Sequence, residues 1–365
     1  MKITKIETIT IDLPFENPGP KSPFVIAIDN TLSSLLIRIE TDKGIVGWGE
    51  AFGYNCLEAT KTTLHTMIIP QLIGKTIENK KDIELINKEL QLKLHVFGRY
   101  GITMFALSGI DIALWDILGK AENKSIAKLL GGLKTDALTA YASLFLYENA
   151  EATAKVSLKA KSEGYEIIKL HENTIAPIQS SRSAIGDTPL MVDVNCVWSE
   201  DHTNKIIEEL KEANLYWLEE PIWPPENFVG LSKLRKQGIT IATGENACTS
   251  YQFKEMISQN AADILQPSVT KVGGISEIIK ISALKKSNCR VVPHSPYFGP
   301  GFIATLQVIG ALNPDSEIER LYVDLKADLY NGISNINSDG KILIPNGPGL
   351  GIEPDLETIE QYIRH

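Results

Sequence analysis

The sequence is poor in cysteine and in long apolar runs, and it is short of positive charge. Its four cysteines are scattered without a CxxC spacing, so neither a disulfide framework nor a zinc cluster is indicated. No segment has eighteen apolar residues in a row, and the start, MKITKIETITIDLPF, alternates apolar and polar residues unlike the core of a signal peptide. We therefore expect a cytoplasmic protein without a membrane partner.

The charge balance also bears on the partners. Forty-five acidic residues against 36 basic ones give a formal net charge of −9. Such a charge repels phosphate backbones and anionic membrane surfaces, so nucleic acid is not an expected partner. The 365 residues, 43% of them hydrophobic, suffice for a large barrel-type domain and a smaller one.

Residues 1–125 predict an N-terminal α+β domain. The segments KITKIETITIDL, SSLLIRIE and IVGWGEA alternate as the strands of an antiparallel meander do. The period then becomes helical, most clearly in GITMFALSGIDIALWDILGKA. That segment has little polar face, so it predicts a mostly buried helix.

Residues 126–325 predict a (β/α)7β barrel, a modified TIM barrel of the α/β class. Eight short apolar runs alternate with seven amphipathic helical segments, and the runs are LTAYASL, YEIIKLHE, LMVDVNC, LYWLEEP, ITIATGEN, ADILQPS, RVVPHSP and EIERLYV. Such regular repetition means parallel pairing, and eight strands fit a barrel that lacks its last helix. The C-terminal segment, 326–365, is expected to pack back on the N-terminal domain and complete it.

Three consecutive strands of the predicted barrel end in an acidic residue. These are Asp193 in MVDVN, Glu219 in WLEEP and Glu245 in TGEN, and the spacings 219 − 193 and 245 − 219 are both 26. We therefore expect the three carboxylates at the same height on the C-terminal rim, where such barrels carry out chemistry. At about 6 Å apart and an effective dielectric near 20, they repel by roughly 3 kcal/mol per pair. Because the donors are oxygens only, Mg²⁺ is the predicted ligand.

Two glutamates are adjacent in WLEEP, and they are predicted to differ in direction. Glu219 matches the register of the other two acids. Strand alternation turns Glu220 the other way, toward the helix layer or a contact behind the ligands.

Neighbouring strands bring possible bases to the same rim. Lys169 and His171 lie two residues apart in IIKLHE, hence on one face of a strand. His294 in VVPHSP is expected to approach from a different side. A substrate at the metal could lie between the two histidines.

Two further residues have alternative interpretations. Glu319 in EIERL could remain a neutral carboxylic acid that donates a hydrogen bond to an oxyanion, or it could pair with Arg320 or a lysine. Lys271 in TKVGG could be a charge on the rim or a contact to the residues around the metal.

The motifs together resemble the mandelate racemase/muconate lactonizing enzyme family of the enolase superfamily. The resemblance covers nearly the whole chain and is carried by ALSGIDIALWDILGK, MVDVN, WLEEP, TGEN and the closing GPGLGIE. It implies that Asp193, Glu219 and Glu245 bind Mg²⁺, which holds a substrate carboxylate while a base removes the α-proton. The N-terminal domain would then be a cap that closes over the barrel mouth and sets specificity.

The resemblance also assigns roles to single residues. The family's Lys-x-Lys is Lys169-x-His171 here, so a histidine stands where the base is often lysine. His294 and Glu319 match the histidine and the electrophilic glutamate of the mandelate racemase-like branch. Four further residues are expected to bind substrate, namely Asn195, Lys271, Tyr54 and Tyr297.

Ser268 in QPSVT departs from three branches of the family. The lactonizing and dipeptide-epimerase branches have a lysine there, which argues against those activities. The racemase branch has an aspartate that orients the histidine and raises its pKa. Without it, we expect His294 to be a weaker base and better suited to act as an acid.

The predicted reaction is Mg²⁺-dependent abstraction of the proton α to a carboxylate, through an enediolate. Dehydration of an acid sugar or related hydroxy acid to a 2-keto product is the first expectation, with racemisation or epimerisation as the alternative. A non-catalytic carboxylate-binding barrel is a remote third. The predicted partner is a small-molecule carboxylate, and the family habit suggests a homo-oligomer.

Overall fold

Two sheets organise the chain in a computed structural model that describes residues 1–23, 30–284 and 289–364. The strands are β1 (Ile3–Glu16), β2 (Thr31–Thr41), β3 (Val46–Ala51), β4 (Ala137–Ser143), β5 (Ile168–Leu170), β6 (Leu190–Asp193), β7 (Trp217–Glu219), β8 (Ile241–Thr243), β9 (Ile264–Leu265), β10 (Arg290–Val291), β11 (Ile318–Leu321), β12 (Asp324–Leu325) and β13 (Lys341–Leu343). The helices are α1 (Leu57–Thr63), α2 (Lys80–Lys93), α3 (Ile102–Ala121), α4 (Ile126–Leu129), α5 (Ala150–Ser162), α6 (Ile175–Ile185), α7 (Glu200–Lys205), α8 (Ile207–Glu212), α9 (Phe228–Arg235), α10 (Thr249–Ser258), α11 (Ile275–Leu284), α12 (Pro300–Leu312) and α13 (Leu356–Tyr362).

The N-terminal sheet is antiparallel, in the order β12–β1–β2–β3. Alternation along β1 buries Ile11, Leu13 and Phe15 on one face, as expected for a sheet with one covered side. Helix α3 covers β3 closely, because a Cβ at Gly49 would lie 2.0 Å from the carbonyl oxygen of Gly109. This sheet and its helices form the cap.

Helix α3 is long and apolar enough to cross a membrane by length and composition alone. In the described part of the chain it is the one helix that meets this criterion, and 89% of its apolar window is buried inside the fold. The prediction of a mostly buried helix over GITMFALSGIDIALWDILGKA is therefore confirmed.

The second sheet contains eight parallel strands in the order β10–β9–β8–β7–β6–β5–β4–β11. Its two end strands are joined through side chains. Arg290 on β10 contacts Glu317 just before β11 at 2.6 Å, and the amide of Ser295 donates to Glu319 at 2.9 Å. The predicted α/β class with a TIM-barrel-like curled sheet and an α+β cap is confirmed.

An apolar layer fills the inside of the curled sheet and positions the residues above it. Its members come from seven strands or their edges: Tyr141, Ile167, Met191, Trp217, Ala242, Ile264 and Val292. Because side chains alternate along a strand, the residue two positions later faces the same interior one level higher.

Buried carboxylates of the cap bind the first turns of two barrel helices. Asp111 on α3 accepts hydrogen bonds from the amide of Ser276, at 2.9 Å, and from its hydroxyl, at 2.6 Å, in the first turn of α11. Glu50 on β3 accepts from the amide of Gly301 at 2.9 Å, at the start of α12. Such carboxylates accept hydrogen bonds from the free amide groups of the first turn and interact favourably with the positive end of the helix dipole.

The C-terminal segment contacts both parts of the molecule. Strand β12, directly before this segment, pairs with β1, and Ile363 after α13 bridges to Ile11. Strand β13 pairs antiparallel with β4 of the barrel, a contact that the sequence pattern does not predict. The domain boundaries at 125 and 325 stay predictions.

We expect Gly274→Ala to disrupt the contact between cap and barrel. Gly274 has a φ of +83°, and a Cβ there would lie 2.4 Å from the Asp111 side chain. Strain and overlap together should lower the free energy of unfolding by about 3 kcal/mol, measured by urea titration.

Gly238→Ala is the matched control. Gly238 has a φ of +93°, but a Cβ added there would have no atom within 4 Å, so only backbone strain of about 1 kcal/mol should remain. An equal loss of unfolding free energy in the two variants would contradict the expected overlap with Asp111.

Candidate active site

The site lies one level above the apolar layer, at the C-terminal ends of the strands. Ser143, Lys169, Asp193 and Glu219 each follow a residue of that layer by two positions. Lys169, Asp193 and Glu219 are almost completely buried. The strand periodicity thus places polar side chains together where the cap covers the barrel.

The three predicted metal ligands come together. Asp193, Glu219 and Glu245 each present a carboxylate oxygen within 4.8 Å of the other two. Hydrogen bonds also hold two of these carboxylates. The amide of Asn195 donates to Asp193 at 2.9 Å, and the indole of Trp217 donates to Glu219 at 3.0 Å.

Glu245 is not at the same strand level as the other two acids. Asp193 pairs with Glu219, and Glu219 pairs with Ala242, three positions before Glu245. Strand β8 ends at Thr243, and Gly244 turns the chain with a φ of +131°. The equal spacing of 26 residues therefore does not mean equal height, because the turn at Gly244 brings the third carboxylate back to the others.

Lys169 stands among the carboxylates. Its Nζ atom lies 2.8 Å from Glu319, 2.9 Å from Glu219 and 3.4 Å from Asp193. Burial alone would lower the pKa of Lys169, but the surrounding carboxylates hold it well above its usual value. Lys169 therefore keeps a fixed positive charge in the floor of the site.

One ammonium does not balance the acids around it. Burial, with repulsion from Asp193 and the other acids, raises the pKa of Glu219 well above its usual value despite the charge of Lys169. Two ionised carboxylates about 5 Å apart repel by roughly 3 kcal/mol at an effective dielectric near 20. The set of hard oxygen donors and this surplus of negative charge fit a divalent cation such as Mg²⁺.

The two predicted histidines flank the acidic trio. His171 Nε2 lies 3.3 Å from Asp193, and His294 Nε2 lies 3.2 Å from Glu245. Burial lowers the pKa of His294, partly opposed by the charges of Glu245 and Glu319. The expectation that the histidines approach from different sides agrees with these contacts.

Glu319 contacts Lys169, which is the lysine pairing that the sequence offered beside the neutral acid. Burial would raise the pKa of Glu319, but the charge of Lys169 lowers it to about 2. Its oxygens also accept from the Ser143 hydroxyl at 2.8 Å and the Ser295 amide at 2.9 Å. The alternative pairing with a lysine is correct, while Arg320 binds backbone carbonyls such as that of Ser334.

Glu220 points away from the site, as predicted. It accepts from the amide of Gly244 at 2.9 Å and from the Cys196 thiol at 3.2 Å. Burial, with repulsion from Glu245, raises the pKa of Glu220 to about 7. It supports the turn that carries Glu245.

Ser268 and Tyr297 occupy the place behind His294. His294 Nδ1 lies 3.4 Å from the Ser268 hydroxyl and 3.3 Å from the Tyr297 hydroxyl. The two hydroxyls also bond to each other. Two hydroxyl groups thus contact Nδ1 of His294 in the place where the racemase branch has a carboxylate.

A cavity of about 250 Å³ lies over these groups. Its lining consists of Tyr54, Asn55, Ser143, Phe145, His171, Asn195, Glu245, His294, Pro296, Glu319 and Leu321. Tyr54 and Asn195, both expected from the sequence to bind substrate, line this cavity. Phe145 and Leu321 were not predicted, although each follows an inward-facing strand residue by two positions.

Lys271 and Tyr297, both expected to bind substrate, do not line this cavity. The Lys271 ammonium lies 4.9 Å from the centre of the Phe52 ring, and Tyr297 meets the same ring edge-on at 6.4 Å. Phe52 also packs on Tyr54 at 4.4 Å. These side chains form an aromatic cluster between cap and barrel, so they support the cavity wall from behind.

Comparisons with known proteins agree with this geometry. Residues 151–359 match the enolase C-terminal domain-like family, and residues 8–131 match the mandelate racemase/muconate lactonizing enzyme N-terminal domain. The chain is 32% identical to D-galactarolactone cycloisomerase of Agrobacterium fabrum over 99% of both chains. It is 30% identical to arabinonate dehydratase of Saccharolobus solfataricus, over 92% of this chain and 91% of that protein.

Solved structures give the same result. The crystal structure of the 3,6-anhydro-D-galactonate cycloisomerase from Zobellia galactanivorans superposes with a TM-score of 0.84, at 28% identity and over 100% of both chains. The chain therefore belongs to the mandelate racemase/muconate lactonizing enzyme family of the enolase superfamily, and it is an enzyme of that family.

Proposed function

We propose that the enzyme abstracts the proton α to the carboxylate of an acid sugar or related hydroxy acid in a Mg²⁺-dependent reaction, and then expels the oxygen on the β-carbon. The observation that carries this proposal is the convergence of three carboxylates within 4.8 Å, with one histidine at each side. An elimination needs a base and an acid near one carboxylate-binding centre. In this proposal the two histidines supply the base and the acid, and the three carboxylates supply the centre.

Asp193, Glu219 and Glu245 are the residues that would hold the ion. Bound there, Mg²⁺ would neutralise the substrate carboxylate and so acidify the neighbouring C–H bond. Lys169 adds a fixed positive charge at the same end of the cavity, which favours the negative charge that develops on an enediolate. The apolar walls formed by Phe145 and Leu321 exclude water and strengthen both effects.

The histidines divide the proton transfers. His171 takes the α-proton, and the electron pair of that C–H bond forms the enediolate. The C–O bond at the β-carbon then breaks, and His294 is placed to protonate the departing oxygen. When that oxygen is a hydroxyl, one water leaves and the enol becomes a 2-keto acid, so the reaction is a dehydration.

Cycloisomerisation is the second candidate, favoured by the similarity to two cycloisomerases over the full chain. If the β-oxygen belongs to a ring, the same elimination opens the ring, and the departing oxygen stays in the molecule. No water is lost, so substrate and product have equal mass.

A racemase or epimerase would use the two histidines as bases on opposite faces of the α-carbon. A homo-oligomer and a cytoplasmic location stay predictions.

We expect Glu219→Gln to weaken Mg²⁺ binding by at least about 100-fold, because it removes one charged ligand. Isothermal titration calorimetry of the purified protein measures this without any substrate. Glu220→Gln is the matched control: it changes the adjacent residue, which faces Gly244 and Cys196, and should bind Mg²⁺ within a few-fold of the native protein. Equal binding by both variants would contradict the choice of Glu219 as ligand.

His171→Asn should abolish exchange of the substrate α-proton with deuterium oxide, since it removes the proposed base. Exchange is followed by ¹H NMR. The surface variant His95→Asn, at an exposed position, should exchange at the native rate. Persistent exchange in His171→Asn would move the role of base to His294.

A screen of acid sugars, their lactones and other hydroxy acids with Mg²⁺ in deuterium oxide should separate the candidate reactions. A 2-keto product with loss of one water supports dehydration, and an opened ring of unchanged mass supports cycloisomerisation. Incorporation of deuterium with inverted configuration and no keto product would contradict both and indicate a racemase or epimerase.

A further inference from the structure

The surroundings of His294 differ on its two sides. Nδ1 faces two hydroxyls, those of Ser268 at 3.4 Å and Tyr297 at 3.3 Å. Nε2 faces Glu245 at 3.2 Å and the cavity. The ring and its hydroxyl partners are buried, so these contacts determine where the proton of the neutral ring lies.

The chemistry of a hydroxyl differs from that of a carboxylate at this position. An ionised carboxylate only accepts, so beside Nδ1 it would place the proton there and leave a lone pair on Nε2. A hydroxyl can also donate. When it donates to Nδ1, the proton of the neutral ring must lie on Nε2 instead.

The hydroxyl pair favours donation of a proton to Nδ1. Ser268 and Tyr297 are bonded to each other, and if Ser268 donates in that bond, the Tyr297 proton is left for Nδ1. A phenol is a stronger acid than an alcohol, so it is the better donor to an imidazole nitrogen.

His171 differs from His294 in the partner of its Nδ1 atom. Its Nδ1 bonds to the backbone carbonyl of Leu144, and a carbonyl only accepts. The proton of the neutral His171 ring therefore lies on Nδ1, and the lone pair lies on Nε2. Nε2 faces Asp193 at the edge of the cavity.

We propose that Tyr297, together with Ser268, is a positioning residue that holds neutral His294 in the tautomer with its proton on Nε2, and that His294 is thereby the proton donor of the site and not its base. In that tautomer Nε2 has no lone pair for a carbon-bound proton. The role of base falls to His171, whose Nε2 carries the lone pair. The catalytic consequence rests on the proposed elimination, whereas the tautomers do not.

Tyr297 is itself held by the aromatic cluster at the cap. Its ring meets Phe52 edge-on at 6.4 Å, and Lys271 lies over Phe52 at 4.9 Å. Phe52 also packs on Tyr54, which lines the cavity. The cap loop that reaches the substrate site therefore also fixes the tyrosine that orients His294.

The test is ¹⁵N NMR of the full chain with labelled imidazole nitrogens and bound Mg²⁺, at a pH where the rings are neutral. The chain has six histidines, and His294→Asn and His171→Asn assign the two signals of interest. We expect a protonated Nε2 in His294 and a protonated Nδ1 in His171. A His294 ring that carries its proton on Nδ1 would overturn the proposal.

Two substitutions next to Nδ1 should change the position of the proton on the His294 ring in different ways. Tyr297→Phe keeps the ring and removes the donor, so the two ¹⁵N shifts of His294 should converge as tautomers mix. Ser268→Asp places a carboxylate beside Nδ1 and should move the proton to Nδ1. Unchanged His294 shifts in Tyr297→Phe would overturn the proposal.

Tyr330→Phe is the matched control, since Tyr330 is a buried tyrosine outside the site. It should leave the His294 shifts and turnover as they are in the native protein.

Once a substrate is known, Tyr297→Phe should lower kcat about 10-fold with KM within about 2-fold, as for loss of a residue that orients a catalytic group. An unchanged kcat would overturn the positioning role. Because the NMR measurement needs no turnover, a failure of the proposed reaction is distinguishable from a failure of this inference.

Discussion

Repulsion among carboxylates at one end of a parallel sheet is the constraint on which the site depends. Strand alternation places Asp193 and Glu219 side by side on neighbouring strands, and the turn after β8 adds Glu245. The Lys169 ammonium offsets part of this charge. The remainder is the negative charge that, in our proposal, a hard divalent cation would neutralise.

The cap and the barrel complete the site together. Barrel strands supply the acids, Lys169 and the histidines, whereas the loop after β3 supplies Tyr54 and Asn55 to the cavity wall. Asp111 and Glu50 bind the first turns of α11 and α12, which begin on the same side of the sheet as the site. The contacts that dock the cap therefore also set the position of the residues that meet the substrate.

Much of this arrangement was predictable from sequence because it follows from short-range periodicity. The alternation of strands and helices predicts the barrel, and the spacing of Lys169 and His171 predicts a shared face. Trp217, which donates to Glu219, could have been found in the same way, since it lies two residues before its partner.

Other features depend on geometry that no spacing shows. The turn at Gly244 sets the height of Glu245, and the charge of Lys169 lowers the pKa of Glu319. Tyr297 contacts His294 while its ring packs on Phe52 of the cap loop. Strand β13 joins β4 across more than two hundred residues of sequence, a pairing with no local signal.

The most direct test of the account is a crystal structure of the unsubstituted protein soaked with Mn²⁺, a divalent ion that takes the same oxygen ligands and scatters anomalously. The account predicts an anomalous peak in contact with the carboxylates of Asp193, Glu219 and Glu245. A peak elsewhere, or none at these three residues at saturating Mn²⁺, would contradict it.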